Sequence, residues 1–274
     1  SNTPHYEMVE HEIRHSFLEY TELAFFLLVA MTYINALEER NVFNSLKSWL
    51  IKNQFSYRQL FWITGVLAFF LSPLADNLTT ALVLCAVVVA VGSSSPKFVG
   101  LACVNIVVAA NAGGAFSPFG DITTLMVWQA GQLDFLQFFA LVITSVVNYI
   151  IPASIMHFFV SDHKPDVAET SVTIKYGGKT IILLGLLTIV TAVSFHNFLH
   201  LPPVFGMMTG LAYLQLYSFY IKISVKDIEE QKYDFFENVA RVEWDTLLFF
   251  FGVILSVGGL GFIGYLEYVS EFMY

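Results

Sequence analysis

The chain has 274 residues, of which 56% are hydrophobic and 13% are charged. Soluble domains carry about 25% charged residues, so the composition excludes an ordinary soluble protein and predicts a membrane protein. The net charge of −9, with basic residues confined to loops, also excludes a nucleic-acid-binding protein. The two cysteines, Cys85 and Cys103, lie in apolar segments without a Cys-x-x-Cys motif. We therefore predict buried free thiols and neither a disulfide framework nor a zinc site.

The first part of the chain contains one predicted spanning helix and one predicted helix at the membrane surface. A spanning helix needs about 20 mostly apolar residues, and the segment 20–37 meets this requirement. The stretch 38–58 is amphipathic, with apolar and basic residues intermixed. This pattern predicts a helix that lies in the membrane interface.

Two shorter apolar pieces follow within 60–92, separated by a polar break at 72–77. The first piece, 60–71, has 12 residues, which rise about 18 Å in an α-helix, whereas the hydrocarbon core is about 30 Å thick. Pro73 also disfavours α geometry at the residue before it. These features favour a re-entrant hairpin. The alternative is a plain pair of spanning helices with Asp76 in an exterior turn.

The next apolar stretch, 98–129, is too long for one straight span and too short for two. Its centre, within the run NAGGAFSPFGD, carries Gly113, Gly114, Pro118 and Gly120. We predict a discontinuous transmembrane helix here, with halves at 98–110 and 122–129 on either side of a break at 111–121. Non-helical backbone at membrane depth is tolerated only where it is buried in protein or lines a cavity. Apolar segments interrupted by Gly and Pro therefore indicate a transporter binding site.

The rest of the chain contains four further predicted spans, at 135–160, 179–195, 202–221 and 246–266, with polar loops at 161–178 and 222–243. With these spans, 12 of the 13 Lys and Arg residues lie on one side of the membrane, and only Arg14 lies on the other. The positive-inside rule places the basic loops in the cytoplasm. A re-entrant hairpin and a spanning hairpin give the same count, because both begin and end on one side.

Two isolated aspartates occupy the two breaks. Asp76 is the only charged residue between Arg58 and Lys97, and Asp121 is the only one between Lys97 and Asp134. Each aspartate follows a Ser-Pro pair and is followed within four residues by two threonines. An ionisable residue inside a membrane segment is costly and indicates a functional site.

Two explanations remain open for these aspartates. Each one can cap the half-helix that follows it, since aspartate is a preferred N-cap residue, although serine or asparagine would do so at lower desolvation cost. Alternatively, the carboxylates bind a hard cation such as Na⁺, together with hydroxyl, amide and carbonyl oxygens. Asn111, which opens the glycine-rich break, is included in this site. The two segments contain no Lys or Arg, which argues against an organic anion, but helix N-termini alone can hold anions.

Other polar residues in the predicted helices are weaker candidates. Glu22 and Asp245 lie at the ends of their spans and are predicted to be interfacial anchors. His196 flanks an outer loop and is a candidate for sensing pH; the alternative is a surface histidine without a special role. Asn35, Asn105 and Asn148 are single polar residues in helices, and we predict that they form interhelical hydrogen bonds and are not ligands.

Both motifs, LSPLADNLTT at 71–80 and NAGGAFSPFGDITTLMVW at 111–128, resemble those of NhaD-type sodium/proton antiporters. This family belongs to the ion-transporter superfamily, which also holds arsenite permeases and dicarboxylate/Na⁺ symporters. The likeness covers nearly the whole chain, including TYINALEERNVF at 32–43 and EWDTLLFF at 243–250. The resemblance implies exchange of Na⁺ or Li⁺ for H⁺ at a site formed by a re-entrant hairpin and a broken helix.

The resemblance also implies the site residues and the surroundings of the protein. Asp76 and Asp121 would alternately bind the cation and the proton. The other implied site residues are Ser72, Asn77, Thr79, Thr80, Asn111, Thr123 and Thr124. No cofactor is implied beyond the transported ions. The implied partners are the lipid bilayer and small cations, with a homodimer left open, and the implied location is the inner (plasma) membrane.

The family is built from two inverted repeats, each with a hairpin and a broken helix. Here Glu22-Leu-Ala-Phe-Phe is echoed 223 positions later by Asp245-Thr-Leu-Leu-Phe. The same offset from Asp76 falls beyond Tyr274, so we expect the second repeat to be incomplete. The expected division is a first-repeat region at 1–160, a cytoplasmic loop at 161–178, and connecting spans with the start of the second repeat at 179–274.

Two other functions fit parts of the pattern. An anion, oxyanion or dicarboxylate transporter of the same superfamily would share the architecture. An intramembrane aspartyl protease also uses two membrane aspartates, but its Gly-x-Gly-Asp motif would need glycine where Pro118 stands in Pro118-Phe-Gly-Asp121. The prediction is therefore a transporter and not an enzyme.

Overall fold

The computed structural model describes residues 5–53, 55–93, 95–164, 172–224 and 233–273, and every regular element in these ranges is helical. In chain order the helices are α1 (His5–Glu39), α2 (Val42–Lys52), α3 (Tyr57–Ala75), α4 (Asn77–Val91), α5 (Pro96–Gly114), α6 (Ile122–Gln129), the 3-10 helix η1 (Phe135–Leu141), α7 (Val142–His157), α8 (Gly178–Leu199), α9 (Pro203–Ser224), α10 (Phe235–Ala240), α11 (Trp244–Phe262) and α12 (Tyr265–Met273).

Seven helical stretches in the described ranges are long and apolar enough to cross a membrane, namely Tyr6–Glu39, Tyr57–Ala75, Pro96–Gly114, Phe135–His157, Gly178–Leu199, Pro203–Ser224 and Trp244–Phe262. The all-α polytopic fold predicted from the sequence is therefore confirmed, and the chain is an integral membrane protein. The helices belong to two compact units, Leu37–Lys179, and Ser1–Ala36 with Thr180–Tyr274. The division predicted from the repeats, at 160 and 178, stays a prediction.

In the unit Leu37–Lys179, α5 is the central helix. Helices α3, α4 and α7 all pack on it, and it allows this close packing because much of its buried surface consists of small residues such as Ala102 and Ala109. The Nδ2 atom of Asn105 donates a hydrogen bond of 2.9 Å to the carbonyl oxygen of Phe61. This bond joins α5 to α3 and is of the interhelical kind predicted for Asn105.

In the other unit, α1, α8 and α9 meet at a buried tyrosine. The Tyr33 hydroxyl donates to the Gly210 carbonyl at 2.7 Å and accepts from the Thr188 hydroxyl at 2.9 Å. Nearby, a Cβ atom at Gly206 would overlap the backbone of Ala192. Small residues thus let α8 and α9 approach closely, and the tyrosine hydroxyl ties both helices to α1.

Removing the Tyr33 hydroxyl is expected to destabilise this junction. The Y33F variant loses two hydrogen bonds while its ring still fills the same space. Interhelical hydrogen bonds in membrane proteins contribute about 0.6 kcal/mol on average, so we expect a loss of about 1 kcal/mol. Thermal unfolding of the purified protein in detergent measures it. Y220F is the control, because Tyr220 is exposed, and equal midpoints for the two variants would contradict the prediction.

Helix α3 is longer than the sequence predicted. It begins at Tyr57, behind a capping box formed by Ser56 and Gln59, and continues through Pro73 to Ala75. The helix is therefore interrupted within the predicted break 72–77, but the interruption is confined to Asp76. Nineteen residues rise about 28 Å, so the length argument for a re-entrant hairpin does not hold for α3, although α4 has only 15 residues. The re-entrant hairpin itself stays a prediction.

Other helix boundaries also differ from the predicted ones, most of all at α1, which begins at His5 and not at residue 20. Helix α5 extends into the predicted break as far as Gly114, so that only 115–121 is non-helical between α5 and α6. The predicted span 135–160 begins as the 3-10 helix η1 and not as an α-helix. The predicted span 246–266 is divided between α11 and α12. Within the described ranges, Cys85 and Cys103 are free thiols as predicted, but both are only partly buried and not fully buried.

Candidate functional site

The break between α3 and α4 consists of Asp76. This residue has a positive φ of 56°, which is uncommon for a residue other than glycine. Its carboxylate caps α4, because Oδ1 accepts from the Thr79 N–H at 2.8 Å and Oδ2 accepts from the Thr79 hydroxyl at 2.7 Å. The capping role predicted for Asp76 is therefore confirmed, with Thr79 supplying both donors.

The break between α5 and α6 is a compact loop that ends at Asp121. Gly114 and Gly120 lie against each other, so that a Cβ atom at position 114 would come within 2.7 Å of the Gly120 carbonyl oxygen. The Thr124 hydroxyl donates to the carbonyls of Ser117 and Asp121, both at 2.8 Å. The Asp121 carboxylate caps α6 by accepting from the Thr123 N–H at 3.1 Å. These contacts hold Asp121 at the start of α6.

The two breaks meet at Asn77. Its backbone N–H donates to the Gly120 carbonyl at 3.0 Å. Its side-chain Nδ2 donates to Oδ2 of Asp121 at 3.0 Å and to Oδ1 of Asn111 at 3.1 Å. The Asn77 side chain therefore links the start of α4 to Asp121 and to Asn111 near the end of α5.

Two hydroxyl groups of the hairpin are buried beside this contact. Ser72 and Thr80 are 0% and 4% exposed, and neither hydroxyl oxygen has a hydrogen-bond partner among the described residues. Ser72 lies against the C-terminal end of α5, because a Cβ atom at Gly114 would be 3.1 Å from its Oγ. Buried polar groups normally have hydrogen-bond partners. Since these two oxygens have none among the described residues, both are available to contact a bound ion.

The predicted residues differ in their exposure. The side chains of Asn111 and Thr123 are exposed, and those of Ser72 and Thr80 are buried. The others are half-buried, namely Asp76, Asn77, Thr79, Asp121 and Thr124. All nine belong to the unit Leu37–Lys179, whereas His196 lies in the last turn of α8 and belongs to the other unit. The site thus has a buried side at the hairpin and an open side at Asn111.

The donor set consists of oxygen atoms and amides. Carboxylate, hydroxyl, amide and backbone carbonyl oxygens are the ligands that hard cations prefer. Among the described residues, there is no cluster of three His, Cys, Asp or Glu side chains. The sequence has no Lys or Arg between Arg58 and Lys97, nor between Lys97 and the end of α6. The arrangement can therefore bind a small cation without a competing positive charge in these segments.

Sequence reasoning missed Ser117 as a member of this group. It is 7% exposed, and its hydroxyl donates to the Pro73 carbonyl at 3.0 Å. Position 117 opens the second Ser-Pro pair, and Pro73 closes the first. The repeated Ser-Pro pair was the available signal, but it did not reveal that the two pairs touch.

The chain is similar to known transporters. A family model described as "Citrate transporter" (CitMHS) matches residues 9–274. The Na⁺/H⁺ antiporter NhaD of Vibrio parahaemolyticus is 53% identical over 96% of this chain and 68% of its own length. NhaD of Vibrio cholerae serotype O1 is 51% identical over 98% of this chain and 61% of its own length. Sodium/proton antiporter 1 of Arabidopsis thaliana is 31% identical over 98% of this chain and 47% of its own length.

The similar proteins are transporters and not enzymes. The chain spans 61 to 68% of the length of the two Vibrio antiporters. No solved structure matches the chain.

Proposed function

The chain belongs to the family of NhaD-type Na⁺/H⁺ antiporters, and from this membership we propose that it is a secondary transporter that exchanges Na⁺ or Li⁺ for H⁺. At the site, the observation that supports this proposal most directly is the bridge formed by the Asn77 side chain. Its amide links the Asp121 carboxylate to Asn111 and thereby brings oxygen ligands from two interrupted helices together. Discontinuous helices are the usual place for Na⁺ sites in transporters.

Asp76 and Asp121 alternately bind the cation and the proton in this proposal. A cation that enters between the two breaks would replace the Asn77 amide at Asp121, since both compete for the same carboxylate oxygen. The other oxygen ligands are Ser72, Asn77, Thr79, Thr80, Asn111, Thr123 and Thr124. The free hydroxyls of Ser72 and Thr80 support this ligand set, because a bound cation would satisfy them. A proton on the carboxylate would weaken its attraction for the cation, which couples the two ions.

The proposal also covers the surroundings of the protein. The basic loops face the cytoplasm and the protein lies in the inner (plasma) membrane, as the distribution of Lys and Arg supports. The segment 60–92 is a re-entrant hairpin, 98–129 is a discontinuous helix, and the two belong to the first of two inverted repeats. The resemblance supports a homodimer, and the position of His196 in the last turn of α8 supports a role in pH sensing.

Transport in everted membrane vesicles tests the exchange reaction. The protein is produced from its complete gene in cells that lack other Na⁺/H⁺ antiporters, and respiration acidifies the vesicle interior. We expect NaCl and LiCl to dissipate the pH gradient, whereas choline chloride leaves it intact. Vesicles that contain the protein and show no response to either Na⁺ or Li⁺ would refute the antiport proposal.

The second candidate function is transport of an organic anion, and the description of the matching family as citrate transporters favours it. Two helices, α4 and α6, also begin at the site, and helix N-termini attract anions. Uptake of radiolabelled citrate by the same vesicles separates the two functions. We expect no uptake above that of vesicles without the protein, because the carboxylates Asp76 and Asp121 occupy both helix N-termini and repel an anion.

A further inference from the structure

The break at Asp76 separates a pair of backbone groups that an uninterrupted helix would join. In an α-helix, the N–H of residue 77 would donate to the carbonyl of residue 73. Here the Asn77 N–H donates to the Gly120 carbonyl at 3.0 Å instead, and the Pro73 carbonyl accepts from the Ser117 hydroxyl at 3.0 Å. The α5–α6 loop therefore binds both backbone groups that lose their helical partners at the break.

Ser117 makes contacts in three directions from a buried position. Its hydroxyl donates to the Pro73 carbonyl on α3 and accepts from the Phe119 N–H at 3.2 Å within its own loop. Its carbonyl accepts from the Thr124 hydroxyl at 2.8 Å on α6. Because an unpartnered buried carbonyl is costly, the hydroxyl favours one position of the loop relative to the end of α3.

We infer that Ser117 is a positioning residue for cation binding. Its hydroxyl fixes the α5–α6 loop in the hairpin break, so that Asp121 stays within reach of Asn77. The inference rests on the proposed function, since it concerns the same cation site. Sites of this kind need their ligands held within about 0.5 Å, and groups behind the ligands supply that precision. Loss of the hydroxyl therefore weakens cation binding more than it weakens the fold.

The S117A variant tests this role in everted vesicles from cells that produce the complete protein. The apparent KM for Na⁺ and the maximal rate are measured at matched amounts of protein in the membrane. The control is S145A, because Ser145 is also buried in the unit Leu37–Lys179 (4% exposed) and lies on α7. We expect S117A to raise the KM for Na⁺ about threefold to tenfold, as the net contribution of a buried hydrogen bond predicts. S145A should keep the wild-type KM.

A second variant keeps the test valid if S117A does not accumulate in the membrane. S117C retains the shape of the side chain but has only a weak S–H donor, so a KM raised above that of S145A is expected for it as well. A wild-type KM for Na⁺ in S117A, or in S117C if S117A does not accumulate, overturns the positioning role, whether or not the maximal rate is lower. Wild-type vesicles without a Na⁺ response would instead contradict the proposed function, so the two failures are distinguishable.

Discussion

The D121N variant is expected to abolish Na⁺-driven and Li⁺-driven proton movement, down to the level of vesicles that lack the protein. Asparagine cannot release or take up a proton in the physiological range, and it offers the cation a neutral oxygen in place of a carboxylate. If Asp121 exchanges the two ions, both halves of the reaction are lost with its charge. The pH gradient of everted vesicles measures the effect, with the amount of protein in the membrane determined in parallel.

The D121N substitution tests charge and not folding. Asparagine is about as good an N-cap as aspartate, so the bond from the Thr123 N–H that caps α6 is retained. The Asn77 amide, which donates to Asp121 in the wild type, can turn and present its oxygen to the new amide at the loss of its bond to Oδ1 of Asn111. We therefore expect D121N to accumulate in the membrane and to unfold at nearly the wild-type temperature.

Asp134 provides the matched control. It also stands at the N-cap of a helix in the same unit, η1, but it is exposed and lies outside the site. D134N should keep the wild-type rate and the wild-type KM. Full antiport activity in D121N would remove Asp121 from the mechanism, whereas equal losses in D121N and D134N would show that the effect is not specific to the site.

Local sequence signals predicted the elements whose causes are themselves local. The bounds predicted for α6, 122–129, agree with the observed helix, because an aspartate cap, two threonines and a short apolar run define it within a few residues. The capping roles of Asp76 and Asp121 follow from the same kind of signal. The predicted free thiols at Cys85 and Cys103 also needed only the local composition.

The course of α3 through Pro73 could not be predicted in this way. Proline removes one hydrogen bond of the helix and crowds the preceding turn, so local rules end the helix at that point. Ser117 and Gly120, more than 40 residues away in the chain, bind the Pro73 carbonyl and the Asn77 N–H, which the break at Asp76 leaves without helical partners. The membership of Ser117 in the site depends on this long-range contact and was missed for the same reason.

A large loss of stability and activity is also expected from substitution of Gly113, where α5 touches the backbone of α3. Pro73 has no N–H, so the Phe69 carbonyl lacks its usual helical donor, and α5 packs directly against that carbonyl. A Cβ atom at position 113 would overlap the Phe69 carbonyl oxygen and lie 2.8 Å from the carbonyl carbon. These are backbone atoms, which cannot rotate away as a side chain can. In the G113A variant, α3 must therefore move off α5.

Gly100 makes the prediction a comparison within one helix. It also lies in α5, but a Cβ atom there would meet nothing within 4 Å, so alanine should be neutral or stabilising by up to about 1 kcal/mol, as the helix propensities predict. Overpacking in G113A costs about 1–3 kcal/mol or more, and the displaced α3 carries Pro73 away from Ser117. We expect G113A to unfold at a clearly lower temperature in detergent and to lose antiport, while G100A retains both. Equal unfolding temperatures for G113A and G100A would mean that α3 and α5 do not pack backbone to backbone at this position.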